Sequence, residues 1–385
     1  MNILIFSSKY PPQIGGVEDV VNNLSLGLSK DNDVLVVTSY NHRQRFNNLI
    51  RKLLLGFSVS FEYKYLDVAV SSLFMSLPRS IFGFLIFPYR FIISLFLLCK
   101  TIKNFKPSVI NAHFLDDSLI YFYIATLFTN IPIVLDIHGN ELHLFSKNKL
   151  YKYLFSKVMN KSKKIIVHSY FMHKELHKIY KVKTSVVVIP NSIDLKKFPK
   201  NTIPLNKKNY YLFVGRLDYK KGVDVLIKAY KSVEKKLTRK LIIIGGATGE
   251  KKHGSLDIIS LKQLAKNSKI EFLGRVENAE VIKYILNAYY CVFPSRFEPF
   301  GIVALESVAC GTPFLASSGG FVEISKSTGA GIIFKPGDIT ALSNLLLKVD
   351  TDLVERELLA HQGLNNISKY TLPKFLTMYK KELCQ

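Results

Sequence analysis

The stretch Gly215-Arg216-Leu217-Asp218-Tyr219-Lys220-Lys221-Gly222 joins an apolar run to a helical pattern and carries two cations. A guanidinium such as Arg216 grips a phosphate through two donors, and an ammonium such as Lys221 adds a point charge beside it. Two fixed cations suit a departing diphosphate, on which negative charge grows as the bond breaks. The competing reading is a solvated basic turn. Further along, Glu298 sits in a loop with prolines and aromatics, and Glu306 lies a turn inside the following apolar helix. A carboxylate held there needs hydrogen-bond donors, and sugar hydroxyls or a ribose diol would serve, as would a backbone amide or an arginine. The loop Pro11-Pro12-Gln13-Ile14-Gly15-Gly16 opens a helix, and its glycines let backbone amides approach an anion, unless it is only a tight turn. Gly246 and Gly249 have the spacing of half a dinucleotide motif, followed by the basic Lys251, Lys252 and His253.

The elements that must position these groups are legible in the apolar periodicity. Short buried runs at Ile3–Ser7, Val34–Thr38, Val109–Ala112, Ile133–Ile137, Ile165–His168 and Val186–Ile189 read as strands. Amphipathic patterns at Val17–Ser29 and Leu119–Phe128 read as helices. A second alternating series starts at Tyr210–Val214 and continues through Val223–Lys236, Leu241–Ile244, Leu256–Asn267, Ile270–Leu273, Cys291–Phe293, Ile302–Cys310 and Phe314–Ala316. Asp338 reads as the N-cap of a helix over Ile339–Val349. Strands alternating with helices imply parallel sheets covered on both faces, with ligands beyond the carboxyl ends of the strands. The Pro- and Lys-rich stretch near residues 193 to 209 reads as a connection between two such units.

With 53 Lys+Arg against 29 Asp+Glu the chain carries +24, which favours polyanionic partners. Composition bias and a selected basic surface both account for that charge. The four cysteines are dispersed, so neither a redox pair nor a zinc site is expected; Cys291 and Cys310 read as small core residues, and a reducing, cytoplasmic setting fits. Met1 to Phe6 reads as a strand and not as a signal peptide. Ser80–Cys99 is very apolar but is interrupted by Pro88 and Arg90; a bilayer span, a buried helix pair and a membrane-surface patch are the readings it allows.

Taken together, these motifs resemble glycosyltransferase family 4, whose members have the GT-B fold. The resemblance rests on the Gly15-Gly16 loop, the Gly-Arg-x5-Gly stretch at 215–222 and the Glu298/Glu306 pair. Asp136-Ile137-His138-Gly139, Ile189-Pro190-Asn191-Ser192-Ile193-Asp194 and Ala309-Cys310-Gly311-Thr312-Pro313 support it. It spans nearly the whole chain, in order. It implies an α/β protein of two facing Rossmann-like domains with an interdomain cleft. Residues 1–195 would form the acceptor domain, 196–209 the linker and 210–365 the donor domain, with 366–385 a helix packing back on the first. It implies that Arg216 and Lys221 hold the diphosphate of a UDP- or GDP-sugar and that Glu306 binds the ribose. Glu298 would face the transferred sugar, and the amides of Phe300, Gly301 and Ile302 would line sugar and phosphate. Arg275 and Val276 would flank the nucleobase, Gly15 and Gly16 would approach the diphosphate, and His138 would contact the sugar. His113 matches a position often polar or His, without a clear role. The loop after residue 245 is longer and more basic than the family's, and residues 40 to 105 match no usable pattern.

The reaction so implied is retaining transfer of a hexose-type sugar to a glycan or lipid-linked hydroxyl. No carboxylate is placed as an obvious covalent nucleophile, which favours same-face attack with the diphosphate helping to deprotonate the acceptor. Neither a metal nor a cofactor is expected, the nucleotide sugar being a substrate; Asp31-Asn32-Asp33 has metal-site letters but falls between a helix and a strand. The rival readings are a nucleotide-sugar epimerase or phosphorylase of the same fold, an NAD-dependent oxidoreductase lacking its glycine triad, and a basic nucleic-acid-binding protein without a recognisable module. The basic, apolar-interleaved stretch Leu150–Lys164 adds an anionic membrane surface as a partner, with a peripheral place on the cytoplasmic face.

Overall fold

The structure is a computed structural model that describes residues 1–11, 15–39, 60–73, 75, 81–113, 115–199, 204, 207–246 and 258–384. Pro12 to Ile14, Ala247 to Gly249 and the basic Lys251, Lys252 and His253 lie outside the described residues, as does most of the stretch between Tyr40 and Ser80.

The chain divides into two compact units, Met1–His168 with Met172–Ile189 and Phe375–Gln385, and Ser169–Phe171 with Pro190–Lys374. In the first, β1 (Asn2–Ser7), α1 (Gly16–Leu28), β2 (Asp33–Ser39), β3 (Ser60–Tyr65) and β4 (Val68–Leu73) precede the long α2 (Ile81–Phe105). Then follow β5 (Val109–His113), α3 (Leu119–Leu127), β6 (Ile133–Ile137), α4 (Asn140–Ser146), α5 (Lys149–Lys161), β7 (Lys164–Val167), α6 (Tyr170–Ile179) and β8 (Val186–Val188). The sheet order is β3-β4-β2-β1-β5-β6-β7-β8. All pairings are parallel except β3 with β4, an antiparallel hairpin at the edge that apolar patterning did not reveal. Ser80 lies outside the described residues, and the rest of the apolar stretch to Cys99 is not a helix pair: one continuous helix passes through Pro88. Among the described residues no helix is long and apolar enough to cross a membrane.

The second unit contains β9 (Tyr210–Val214), α7 (Val223–Val233), β10 (Lys240–Ile244), α8 (Ile258–Leu264), β11 (Ile270–Gly274), α9 (Asn278–Asn287) and β12 (Tyr290–Phe293). It continues with α10 (Ile302–Ala309), β13 (Phe314–Ser317), α11 (Phe321–Thr328), β14 (Gly331–Phe334), α12 (Ile339–Thr351), α13 (Leu353–Asn366) and the start of α14 (Leu372–Cys384). Its sheet is wholly parallel, in the order β11-β10-β9-β12-β13-β14. Strand side chains alternate between two cores. Leu212, Ile242 and Ile244 enter one with α10 and α11. Tyr211, Phe213, Leu241 and Ile243 enter the other with α7 and α12. That alternation is why these runs are apolar throughout instead of on every second residue. The strand order reverses between β1 and β5 in the first sheet and between β9 and β12 in the second. At such points loops diverge and leave room for a ligand.

The last turns of α14 belong to the first unit. Tyr379 donates its hydroxyl hydrogen to Asp136 and Lys380 pairs with Asp31, while Lys164 meets Glu382 at 2.5 Å. Asp31 of the Asp-Asn-Asp run therefore has a cationic partner of its own.

Gly222 has φ +66°, and a Cβ there would strike the carbonyl oxygen of Pro294. Gly337 has φ +77° but faces open space. Gly222→Ala should therefore lose more stability than Gly337→Ala, whose cost is about 1 kcal/mol of backbone strain. Urea denaturation of both variants reads the difference, and equal losses would mean that the Pro294 contact is not binding on the fold.

Candidate functional site

In the second unit the loops after β9 and β12 are interlocked. Asp218 caps the turn Tyr219–Lys221 by accepting from the Lys221 amide at 3.1 Å. The Arg296 amide donates to the Lys220 carbonyl at 2.7 Å. The Arg296 guanidinium grips both oxygens of Asp224 at 2.7 Å each and also reaches the Tyr219 carbonyl at 2.9 Å. It lies 4.0 Å from the centre of the Tyr219 ring. Burial works to raise the Asp224 pKa, but the Arg296 hydrogen bonds win and hold it below the usual carboxylate range.

This clasp delivers Lys221 to Glu298, with Nζ 2.6 Å from Oε2. Ser295 also donates to that oxygen, at 3.3 Å, and the backbone carbonyl of Glu298 accepts from Gly320 N at 2.9 Å. The carboxylate is buried. Arg216 is half exposed and pairs with Asp218 at 3.3 Å. Just beyond Glu298, Phe300 is buried against Tyr370, with ring centres 6.1 Å apart. Gly301 at φ +100° is the N-cap of α10. Ile302 and Glu306 on that helix are both half-buried. Arg275 follows β11, is exposed and lies over the Gly246 backbone, while Val276 packs on the core. Lys221, Glu298 and the start of α10 are thus brought to the carboxyl ends of β9 and β12, with Arg216 on the same loop as Lys221. Arg275 sits at the end of the outermost strand. Sequence reasoning missed Arg296 and Asp224. Both lie beside the 215–222 and Glu298/Glu306 motifs, but only the fold shows that one clamps the other.

In the first unit Gly15 caps α1, and the buried Glu18 folds its carboxylate back against it. Gly16 starts the helix. The richer cluster is at the opposite side of the switch point. His113 ends β5, and His138 and His168 immediately follow β6 and β7. Parallel register sets His113 beside Asp136. His113 Nδ1 is 3.1 Å from His138 Nε2, and His113 Nε2 is 2.6 Å from Asn111 Oδ1. Asp136 Oδ1 lies 3.5 Å from His138 Nε2 and 2.8 Å from His168 Nε2.

Burial opposes charge on every member of this cluster, yet the outcomes differ. Burial takes His113 down to about 4 and His138 well below 6.5. For Asp136 the burial cost is outweighed by the attraction of His168, His113 and His138, so its carboxyl stays far below the usual range. His168 rises despite burial because Asp136 faces it. Burial lifts Glu141 to about 7, while its carboxylate accepts from the His138 amide at 2.8 Å. His113, Asp136 and His138 offer ligand atoms within 4.8 Å of one another, a spacing that a cation could bridge. The two imidazole nitrogens, however, already share a hydrogen bond. Asp136, His168, Asn111 and Tyr379 had no role in the sequence reading. The signal was a histidine at the end of three consecutive strands, but a lone histidine at a strand end is ordinary.

Two doubly wound α/β units with their candidate groups at the carboxyl ends of the strands define the GT-B class of glycosyltransferases. Profiles described as "Glycosyltransferase Family 4" and "Glycosyl transferases group 1" match residues 14–197 and 194–364. The chain belongs to this glycosyltransferase family. It is 31% identical over 291 residues to an uncharacterized glycosyltransferase of Methanocaldococcus jannaschii, covering 70% of this chain and 72% of that protein. It is 27% identical over 263 residues to glycogen synthase of Mycobacterium tuberculosis, covering 66% and 62%. Sucrose-phosphate synthase from Thermosynechococcus elongatus has the same fold, with TM-score 0.78 at 19% identity over 99% of this chain and 97% of that one. Anabaena HepE, solved with UDP and glucose, gives TM-score 0.75 at 19% identity over 100% and 99%.

The folded pKa of Glu141, about 7, exceeds the ordinary 4.5. Its ionised form therefore costs stability above pH 7, and the cost disappears as the pH falls to 4.5. Glu141→Gln should stabilise the protein at pH 8, by no more than about 3 kcal/mol, and the gain should vanish near pH 4.5. Denaturant midpoints across that range test it; a gain independent of pH would contradict the burial of an acid there.

Proposed function

We propose that the protein is a retaining glycosyltransferase that moves a hexose-type sugar from a UDP- or GDP-sugar to a hydroxyl of a glycan or lipid-linked acceptor, without a metal ion. The observation that carries this reading is the Lys221–Glu298 pair, 2.6 Å apart at the strand-order reversal of the second unit. A diphosphate arriving there meets Lys221 and Arg216, which neutralise the charge that grows on the leaving group. Lys221 released from Glu298 frees a carboxylate for sugar hydroxyls, so the resting pair keeps both groups in place until the donor takes them. Glu306 binds the ribose diol. The amides of Phe300, Gly301 and Ile302 line sugar and phosphate, Arg275 and Val276 flank the base, and the amides of Gly15 and Gly16 are a further anion contact. His138 contacts the sugar. The diphosphate oxygen takes the acceptor proton on the face from which the leaving group departs. Complexes of HepE with UDP and glucose are in keeping with a nucleotide-sugar donor.

An anionic membrane surface is the second partner we assign. Among the described residues, and apart from Met1 and Leu66, the exposed large apolar side chains of the first unit lie on α2, α4, α5 and the end of α3. They include Tyr89, Ile92, Phe96, Phe128, Leu150 and Tyr153. The same helices carry Lys100, Lys103, Lys149, Lys152 and Lys157, and their sole acid, Glu141, is buried. Apolar side chains among lysines suit an interfacial position on anionic lipid.

A panel of nucleotide sugars, read by transfer and donor hydrolysis, should identify one donor. Arg216→Ala, Lys221→Ala and Glu298→Ala should each lose at least about tenfold in turnover with that donor, and EDTA should leave it intact. Normal turnover in all three variants would reject the site, and loss with EDTA would reject metal independence. In flotation, vesicles containing phosphatidylglycerol should carry the protein and neutral vesicles should not; indifference to lipid charge would remove the membrane from the account.

A further inference from the structure

We propose that Asn111 and His113 are positioning residues that set the tautomer of His138, so that its imidazole meets a substrate hydroxyl with the bare lone pair of Nδ1, as a hydrogen-bond acceptor. The consequence for substrate rests on the reading of His138 as a sugar contact; the tautomer itself does not.

The chain of hydrogen bonds has one direction. The side-chain amide of Asn111 donates from Nδ2 to the Val134 carbonyl at 3.1 Å. A carbonyl can only accept, so the amide cannot be flipped, and its oxygen is the atom facing His113. His113 Nε2, 2.6 Å from that oxygen, must carry a hydrogen. A neutral imidazole has one N–H, so His113 Nδ1 is then a lone pair. His138 Nε2, 3.1 Å away, must donate to it. If His138 is neutral as well, its Nδ1 is left without a hydrogen, and among the described residues nothing donates to it. His138 keeps 5% side-chain exposure, in a cluster whose other side chains are sealed.

Neutrality of both rings follows from where the charge in the cluster goes. Asp136 is the anion beneath them, and two other groups face it. Tyr379 from α14 donates to Oδ2, and His168 Nε2 lies 2.8 Å from Oδ1. His168 Nδ1, at 2.9 Å from the Ile189 carbonyl, is also a donor. A ring that faces an anion with one nitrogen and a carbonyl with the other carries two hydrogens, so His168 is the cation. That leaves His113 and His138 without a charge to balance, in a site where burial already disfavours protonating either. The remaining ionisable groups acting on His138 are Glu141, held at its amide, and Lys9, whose charge opposes protonation. A neutral acceptor nitrogen suits a hydroxyl that needs orienting without acquiring a cation beside it.

The test uses the full chain labelled with ¹⁵N-histidine and no sugar donor. Long-range ¹H–¹⁵N spectra at pH 7.5, assigned with His113→Gln, His138→Gln and His168→Gln, should show His113 and His138 as neutral Nε2–H tautomers and His168 doubly protonated. A His138 that is charged, or protonated on Nδ1, overturns the proposal. Asn111→Leu removes the acceptor that orients His113; it should mix the tautomers of His138 and lower kcat about tenfold with little change in donor KM. His113→Gln checks the same chain should Asn111→Leu not fold. Unaltered spectra and kcat in the folded variant would sink the positioning role. Expected spectra with a donor panel that fails throughout would leave the tautomer standing and remove only the sugar contact.

Discussion

A carboxylate moved out of water keeps its charge only beside a cation or several hydrogen-bond donors, and both candidate sites of this protein are built on that condition. Glu298 is buried and has Lys221 at 2.6 Å. Asp136 is buried and has His168 at 2.8 Å with the Tyr379 hydroxyl on its other oxygen. Each pair fixes the position of a second group. Glu298 holds Lys221 at the carboxyl ends of β9 and β12, where the proposed donor diphosphate would meet it. Asp136 gathers the protons of the cluster on His168 and leaves the imidazoles of His113 and His138 neutral. Glu141 shows the cost of lacking a cation: its pKa climbs to about 7.

Such pairs need rigid supports, because a long side chain that wanders loses its electrostatic advantage. In the second unit the support is the clasp of Arg296 on Asp224 and Tyr219, reinforced by the close approach of Gly222 to Pro294. In the first it is the parallel register of β5, β6 and β7, which stacks three histidines at one edge, and α14, which supplies Tyr379 from 243 residues away. The two halves solve the same problem with different parts.

Much of this could be read from the chain. The strands at Ile3, Val34, Val109, Ile133, Tyr210, Leu241 and Phe314 fall where continuous apolar runs put them, since a strand covered on both faces has no polar side to show. The family-bearing motifs Gly215–Gly222 and Glu298/Glu306 are compact, so local spacing was enough to single them out. The hairpin of β3 and β4 was not legible, because an edge pair has weaker apolar patterning. The continuous helix through Pro88 was also missed: proline argues for a break, yet the helix runs on to Phe105, with Leu98 and Ile102 buried.

The sequence by itself determined the two α/β units, the order of most of their strands and the motifs that single out the candidate residues, because these depend on periodicity and on neighbours along the chain. Only the tertiary structure decided which charges meet. Lys221 and Glu298 are 77 residues apart, and Asn111 and Val134 are 23 apart. The direction of a hydrogen-bond chain, and so the protonation of His138, depends on atoms that touch only after strands have paired. Contact energies fall off within a few ångströms in space, whatever the separation in sequence.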